Sequence, residues 1–342
     1  MPAEAAEPTS EVSPVEPPLV SLAQIRAAAE TLRGIALRTP LLAFGPPERR
    51  EFLKAESLQP IGAFKIRGAY VALASLEPDV RARGVITYSS GNHAQGVARA
   101  ARLFGVPAVI VMPSDAPLIK RERVLADGAE VVIVGPTSEE RRLAAERIAA
   151  ERGLSIIPPF DDDRIIAGQG TCGLEIAEDL PDLAAVLVPV GGGGLAAGVA
   201  TAVRALRPAA RIIGVEPELA ADARDSLRAG RVVAWPAELV GRTIADGTRT
   251  QSIGRRNLAH FLANLDDIVT VSEDEIGAAV RLAAEECRLV VEPSGALSIA
   301  ALRFRPAEAG LAGLQGSLVA VVSGGNLDPA RYRALLAPVE AH

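Results

Sequence analysis

From Gly84 onward the chain keeps returning to one unit, a short apolar run followed by a helix pattern, and this alternation limits the possible folds more than any other feature. Residues 85–88, 108–112 and 131–134 read as strands, with helix patterns over 93–104, 118–126 and 139–151. Pro158-Pro159 and the acidic run Asp161-Asp162-Asp163 break the series. A second series follows: a strand over 184–190, four glycines, a helix over 195–206, a strand over 211–215 and a last strand over 318–322. Strands that alternate with helices pair in parallel, because each crossover returns the chain in the same direction. The expected class is therefore α/β, with two mostly parallel twisted sheets flanked by helices and ligands at the strand C-terminal ends between them. Hydrophobic residues are 49% of the chain but aromatics only 3%, so Ala, Val, Leu and Ile must build the core, as helix-on-sheet packing permits. Ahead of both series, Ser21-Leu22-Ala23-Gln24 has the form of a capping box and opens a helix pattern that stops at Gly34.

Charge and cysteine usage exclude several functions. A net charge of -6 and a pI near 5.4 leave no basic field for nucleic acid or an anionic membrane surface. No apolar stretch reaches the roughly 18 to 20 residues needed to span a bilayer. Two cysteines, Cys172 and Cys287, are too few and too far apart for a disulfide framework or a zinc site, which points to a reducing compartment and hence the cytoplasm. Residues 1–18 hold five prolines and four glutamates without Lys or Arg, which reads as a disordered tail rather than a signal peptide.

Four short motifs carry chemistry. Lys65 lies between Phe64 and Ile66, apolar neighbours that would strip its solvation and keep part of it as the free amine that a nucleophile requires. Gly191-Gly192-Gly193-Gly194 follows an apolar strand and precedes an alanine-rich helix, so its unhindered N–H groups suit a phosphate. The same segment satisfies the G-x-G-x-x-A form of the dinucleotide fingerprint through Gly191, Gly193 and Ala196, with Glu216 where a ribose-binding acid would sit. A binding protein or dinucleotide enzyme using that cradle therefore stays open at this point. Ser89-Ser90-Gly91-Asn92-His93 is a second strand-to-helix turn, suited either to a small carboxylate or to plain helix capping. Ser323-Gly324-Gly325-Asn326 ends the last strand and places a hydroxyl at a sheet edge, or is simply a turn.

Taken in order and spacing, the strings ESLQPIGAFKIRGA, SSGNHAQG, IAGQGT, GGGGLAAG, TIADG, EPSGA and SGGN resemble the serine/threonine dehydratase and serine racemase family, pyridoxal-phosphate enzymes of fold type II. The match runs from Ser21 to Leu327. The resemblance implies that Lys65 carries pyridoxal 5'-phosphate covalently, with Phe64 beside the ring and Asn92 on its phenolic oxygen. It also implies that Gly191 to Gly194 with Leu195 take the phosphate and that Ser323 faces the ring nitrogen. The substrate carboxylate would dock on Ser89, Ser90, Gly91, Asn92 and His93. The implied reaction is dehydration and deamination of L-threonine or L-serine to 2-oxobutanoate or pyruvate plus ammonia, with the freed Lys65 amine as general base.

Two further features leave a second reading within the family. Ser90 matches the position at which serine racemases carry a proton-handling hydroxyl, so racemisation, or dehydration of 3-hydroxyaspartate, is chemically open. Glu216, the Ala220 carbonyl and Asp222 match the spacing of the family's Mg2+ or Ca2+ site, where hard oxygen ligands suit such ions. The resemblance further implies a homodimer and a small domain over 76–160, inserted in a large cofactor-binding domain formed by 19–75 and 161–342.

Overall fold

The computed structural model describes residues 18–337 apart from 90, 115, 117 and 136. The expected tail over 1–18 thus lies almost wholly outside the described residues. Among the described residues ten strands form two sheets. The larger has six, in the order β1 (Leu41–Phe44), β2 (Glu51–Ala55), β10 (Ser317–Val322), β7 (Leu183–Pro189), β8 (Arg211–Pro217) and β9 (Asp267–Val271). The smaller has four, in the order β5 (Glu130–Val134), β4 (Ala108–Pro113), β3 (Val85–Tyr88) and β6 (Ser155–Ile156). Every pairing is parallel except β1 with β2.

The central strands are apolar throughout because both faces are covered. Val186, Leu187 and Val188 of β7 are fully buried, as are Val319, Ala320 and Val321 of β10, and neither strand alternates. The expectation of two mostly parallel α/β layers holds. β1, β2, β6 and β9 add strands that the apolar runs do not single out. The first helix, Leu22–Thr31, carries the anticipated capping box between Ser21 and Gln24, and Gly34 turns the chain at φ 75° just beyond it.

One helix sets the geometry of the site. Asp163–Asp179 crosses both the helix that begins at Lys65 (Lys65–Ala74) and the helix after the glycine run (Gly194–Leu206), and it does so at glycines. A Cβ on Gly168 would lie 2.6 Å from the Gly68 Cα, and one on Gly198 would lie 2.3 Å from the Ile166 carbonyl. Only hydrogen fits there, so the lysine helix and the glycine helix are held to one buried post. Because β7, β8 and β10 run parallel in register, the glycine run, Glu216 and Ser323 all emerge at the same edge of the large sheet. The turn after β3 leads into the helix Asn92–Phe104 and faces that edge from the small sheet.

Candidate active site

Of the 36 basic side chains in the sequence only three are lysines: Lys54, Lys65 and Lys120. Lys54 is fully buried and ion-paired to Glu175 at 2.6 Å, and Lys120 pairs with Asp246 at 2.8 Å. Lys65 pairs with no carboxylate among the described residues. It sits half-buried at the start of its helix, its Nζ donating to the Pro159 carbonyl at 2.7 Å and lying 5.1 Å from the centre of the Phe64 ring. Burial without a counter-charge lowers its pKa to about 8 from 10.5.

The other motif residues gather around this amine. Phe64 donates its backbone N–H to the Ser323 carbonyl at 3.0 Å, and Ala63 bridges Gly324, which docks the lysine segment on the end of β10. The Ser323 side chain is buried, and its nearest partner is the Ser294 carbonyl at a loose 3.5 Å. Phe160, next in sequence to the carbonyl that holds Lys65, lays its ring on Gly192, where a Cβ would come within 2.2 Å of the ring. Gly193 adopts φ 97°, a left-handed conformation that favours glycine, and hands the chain to the Gly194–Leu206 helix with Leu195 buried in its first turn. Loops from both sides close on the run: Asn257 Nδ2 donates to the Gly192 carbonyl at 2.6 Å, and Gly191 abuts Gly247 and Thr248.

On the small-sheet side the Ser89 hydroxyl accepts the Gly91 N–H at 3.3 Å, so this serine is engaged within the turn. Gly91 is the N-cap and has open space where a Cβ would be. Ser90 lies outside the described residues. His93 is buried with Nε2 against the Ile157 carbonyl at 3.1 Å, and the backbone oxygen makes Nε2 the protonated nitrogen. Burial, with the nearby Lys65 charge second, drives its pKa down to about 3, so the ring is neutral and cannot supply a positive charge to an anion. The Asn92 amide is held at both ends: Nδ2 donates to Glu292 at 2.7 Å and Oδ1 accepts from Asn326 at 2.9 Å. Glu292 and Asn326 belong to the EPSGA and SGGN strings, yet neither has a role that sequence reading supplies. An acid directly before the Pro-Ser-Gly that opens a helix is the one signal available for Glu292. Its carboxyl is pushed up to about 7, by burial first and by Asp246 second.

Glu216 and Asp222 come together behind the glycine run, since Ile253 packs on Gly193 and its backbone reaches Asp222. Each Glu216 oxygen accepts a backbone N–H, from Ala223 at 3.0 Å and Arg224 at 2.8 Å, which ties it to the helix Asp222–Ala229. A carboxylate so enclosed is not open to a ribose, which removes the dinucleotide role of Glu216. Both Asp222 oxygens are buried and find no well-formed hydrogen bond among the described residues. Burial raises the pKa of both acids, and for Glu216 the proximity of Asp222 adds to it. Among the described residues no three His, Cys, Asp or Glu side chains cluster, so any cation here would need carbonyl or water oxygens as well.

A buried amine with a depressed pKa, a glycine-lined anion cradle and a loosely partnered hydroxyl between two α/β layers define the class of site that an aldehyde-bearing phosphate cofactor requires. Comparison with known families agrees: the pyridoxal-phosphate dependent enzyme family matches residues 33–324, and the chain belongs to it. It is 42% identical to the L-threo-3-hydroxyaspartate ammonia-lyase of Saccharomyces cerevisiae over 290 residues, 84% of this chain and 86% of that protein. It is equally 42% identical to the L-threonine ammonia-lyase of Thermotoga maritima over 317 residues, 91% of this chain and 76% of that protein. Among solved structures, maize serine racemase superposes with a TM-score of 0.86 at 34% identity, covering 93% of this chain and 97% of that one. The fold is that of the type II pyridoxal-phosphate enzymes. No helix among the described residues is long and apolar enough to cross a membrane.

The depressed pKa has a direct consequence. Near neutral pH a much larger share of Lys65 is therefore free amine than of an ordinary lysine, whose pKa is about 10.4. Reductive labelling of the apoprotein with a small aldehyde should therefore modify Lys65 first. Peptide mass analysis should show its rate rising through pH 8 and then levelling, well below the pH at which the rate for a lysine in an unstructured peptide levels. A profile parallel to that of the peptide lysine would refute desolvation of Lys65.

Proposed function

We propose that the chain is an ammonia-lyase that dehydrates and deaminates L-threonine or L-serine, giving 2-oxobutanoate or pyruvate and ammonia. The observation that carries the reading is Lys65, an amine kept partly unprotonated by burial and set between the glycine cradle and Ser323. Bound pyridoxal phosphate supplies an electron-withdrawing ring that acidifies the substrate α-carbon. Lys65 would tether the cofactor through its Nζ, and the same nitrogen would serve as the general base that takes the substrate α-proton. Gly191 to Gly194 and Leu195 would hold the cofactor phosphate, Phe64 would pack beside the ring, and Asn92 would bond its phenolic oxygen. Ser323 would offer the ring nitrogen a neutral hydroxyl, which would stabilise a protonated ring less than a carboxylate would. The turn from Ser89 to His93 receives the substrate carboxylate through backbone N–H groups, consistent with a neutral His93.

A divalent cation, Mg2+ or Ca2+, belongs to the same proposal, held by Glu216, Asp222 and the Ala220 carbonyl. The two Asp222 oxygens, buried with no well-formed hydrogen bond among the described residues, support it, since a cation would offset the cost of burying them. The proposal also takes residues 76–160 as a small domain inserted between 19–75 and 161–342, and the protein as a cytoplasmic homodimer. The free thiols of Cys172 and Cys287 are compatible with a reducing compartment.

Steady-state assays with L-threonine, L-serine and L-threo-3-hydroxyaspartate, with Mg2+ or with a chelator, test the reading. Release of 2-oxo acid and ammonia from threonine or serine is expected. Turnover confined to hydroxyaspartate would replace the substrate, D-serine on chiral chromatography would add racemisation, and no turnover of any by cofactor-loaded protein would refute the reading.

A further inference from the structure

The helix Leu118–Ala126 packs on the small sheet, yet two of its side chains reach across to the large one. Lys120 and Arg123 are three residues apart and share a helix face. Lys120 binds Asp246 at 2.8 Å, the first residue of the turn whose Gly247 and Thr248 press on Gly191. Arg123 Nη1 donates to Asn326 Oδ1, although much of the arginine is exposed. Asn326 is buried, and its Nδ2 donates to the Ile61 carbonyl at 2.8 Å and to Asn92 Oδ1 at 2.9 Å. Its amide also lies on Gly62, where a Cβ would be 2.5 Å from Oδ1. One asparagine thus touches the segment leading to Lys65, the Asn92 amide and a guanidinium from the other layer.

The direction of these bonds is imposed from outside the amide pair. A side-chain amide can present its oxygen or its NH2 to a neighbouring amide, so the Asn326–Asn92 pair alone permits two arrangements. A guanidinium has only donors, and a backbone carbonyl only accepts. With Arg123 at its oxygen and the Ile61 carbonyl at its NH2, Asn326 is held in one orientation, and Asn92 must then present its oxygen to Asn326 and its NH2 to Glu292. We infer that Arg123 is a positioning residue of the active site, acting with the Ile61 carbonyl to hold Asn326, and through it the Asn92 amide, from the opposite layer. The inference rests on the proposed function in one respect, that Asn92 bonds the cofactor.

Three variants test it: Arg123→Leu, Arg123→Lys and Asn326→Asp. Arg123→Leu should weaken pyridoxal phosphate binding about tenfold and lower kcat about tenfold with KM little changed, as loss of one charge-assisted hydrogen bond predicts. The visible band of the bound cofactor should shift, while the urea midpoint of the apoprotein stays at the wild-type value. Arg123→Lys keeps a donor and should restore most of the binding. Asn326→Asp keeps the arginine contact but has no N–H for Asn92, so it should reproduce the spectral shift with Arg123 intact. Wild-type spectra and affinity in Arg123→Leu, whatever Asn326→Asp shows, would overturn the inference alone. So would a fall in apoprotein stability with an unchanged spectrum, which marks a structural role. A wild-type protein that takes up no cofactor would overturn the functional reading and this inference with it.

Discussion

Replacing Lys65 with alanine is expected to abolish the visible band of the bound cofactor and to lower kcat by about ten-thousand-fold, the upper range for loss of a positioned acid–base group. Two roles fall on one nitrogen, so tether and base are lost together and neither is recovered by raising the cofactor concentration. An added small amine should restore part of the proton-transfer role but not the tether. Stability should respond differently. The Lys65 amine is buried with one hydrogen bond, to Pro159, and burial already disfavours its charge. Its removal should leave the apoprotein within about 1 kcal/mol of wild type, since a lost hydrogen bond is offset by a desolvation cost no longer incurred. Spectroscopy of the loaded variant and urea unfolding of the empty one measure the two effects separately. A variant that keeps both the band and its turnover would remove Lys65 from the chemistry.

Legibility in the sequence follows from how local each cause is. The β7 strand and its glycines are contiguous, as are Phe64 with Lys65 and Ser323 with its glycines, so hydrophobic runs and turn chemistry are enough to mark them. The Asn92 contacts are different in kind. Its partners Glu292 and Asn326 lie 200 and 234 residues away, and Arg123 is separated from Asn326 by 203, so no window in the chain contains the network. β2 escapes for a related reason. Its Glu51 and Lys54 are buried, which breaks the apolar pattern of a central strand, and the ion that makes Lys54 tolerable is Glu175 on the buried post. Arg67, two residues beyond Lys65, looks in sequence like a solvated charge and is among the largest fully buried side chains in the fold.

That arginine carries the largest expected effect on stability. Its Nε and Nη2 grip the two Glu56 oxygens at 2.8 Å each, while Nη1 and Nη2 meet Glu175 at 2.6 and 2.9 Å, and Thr171 and the Leu37 carbonyl complete the donors. Lys54 balances the second carboxylate and also donates to the Thr39 carbonyl at 2.6 Å. Burial alone would push the Glu56 carboxyl up. The Arg67 charge and hydrogen bonds, with Lys54 and Thr39 behind them, instead bring it below its ordinary value of 4.5. Arg67→Met is similar in length but leaves Glu56 in the interior without its principal counter-charge, which should cost about 3 to 5 kcal/mol. The pH dependence should also reverse. A carboxyl lowered by folding adds stability above its unfolded pKa and loses it as pH falls, so in wild type this group favours neutral over acid conditions. Without Arg67 the same carboxyl is raised by burial, the native state holds the extra proton, and stability should fall as pH rises from about 5 to 8. Urea unfolding at several pH values reads both the loss and the change of slope, and Glu56→Gln in the same background should relieve part of the loss and flatten the slope.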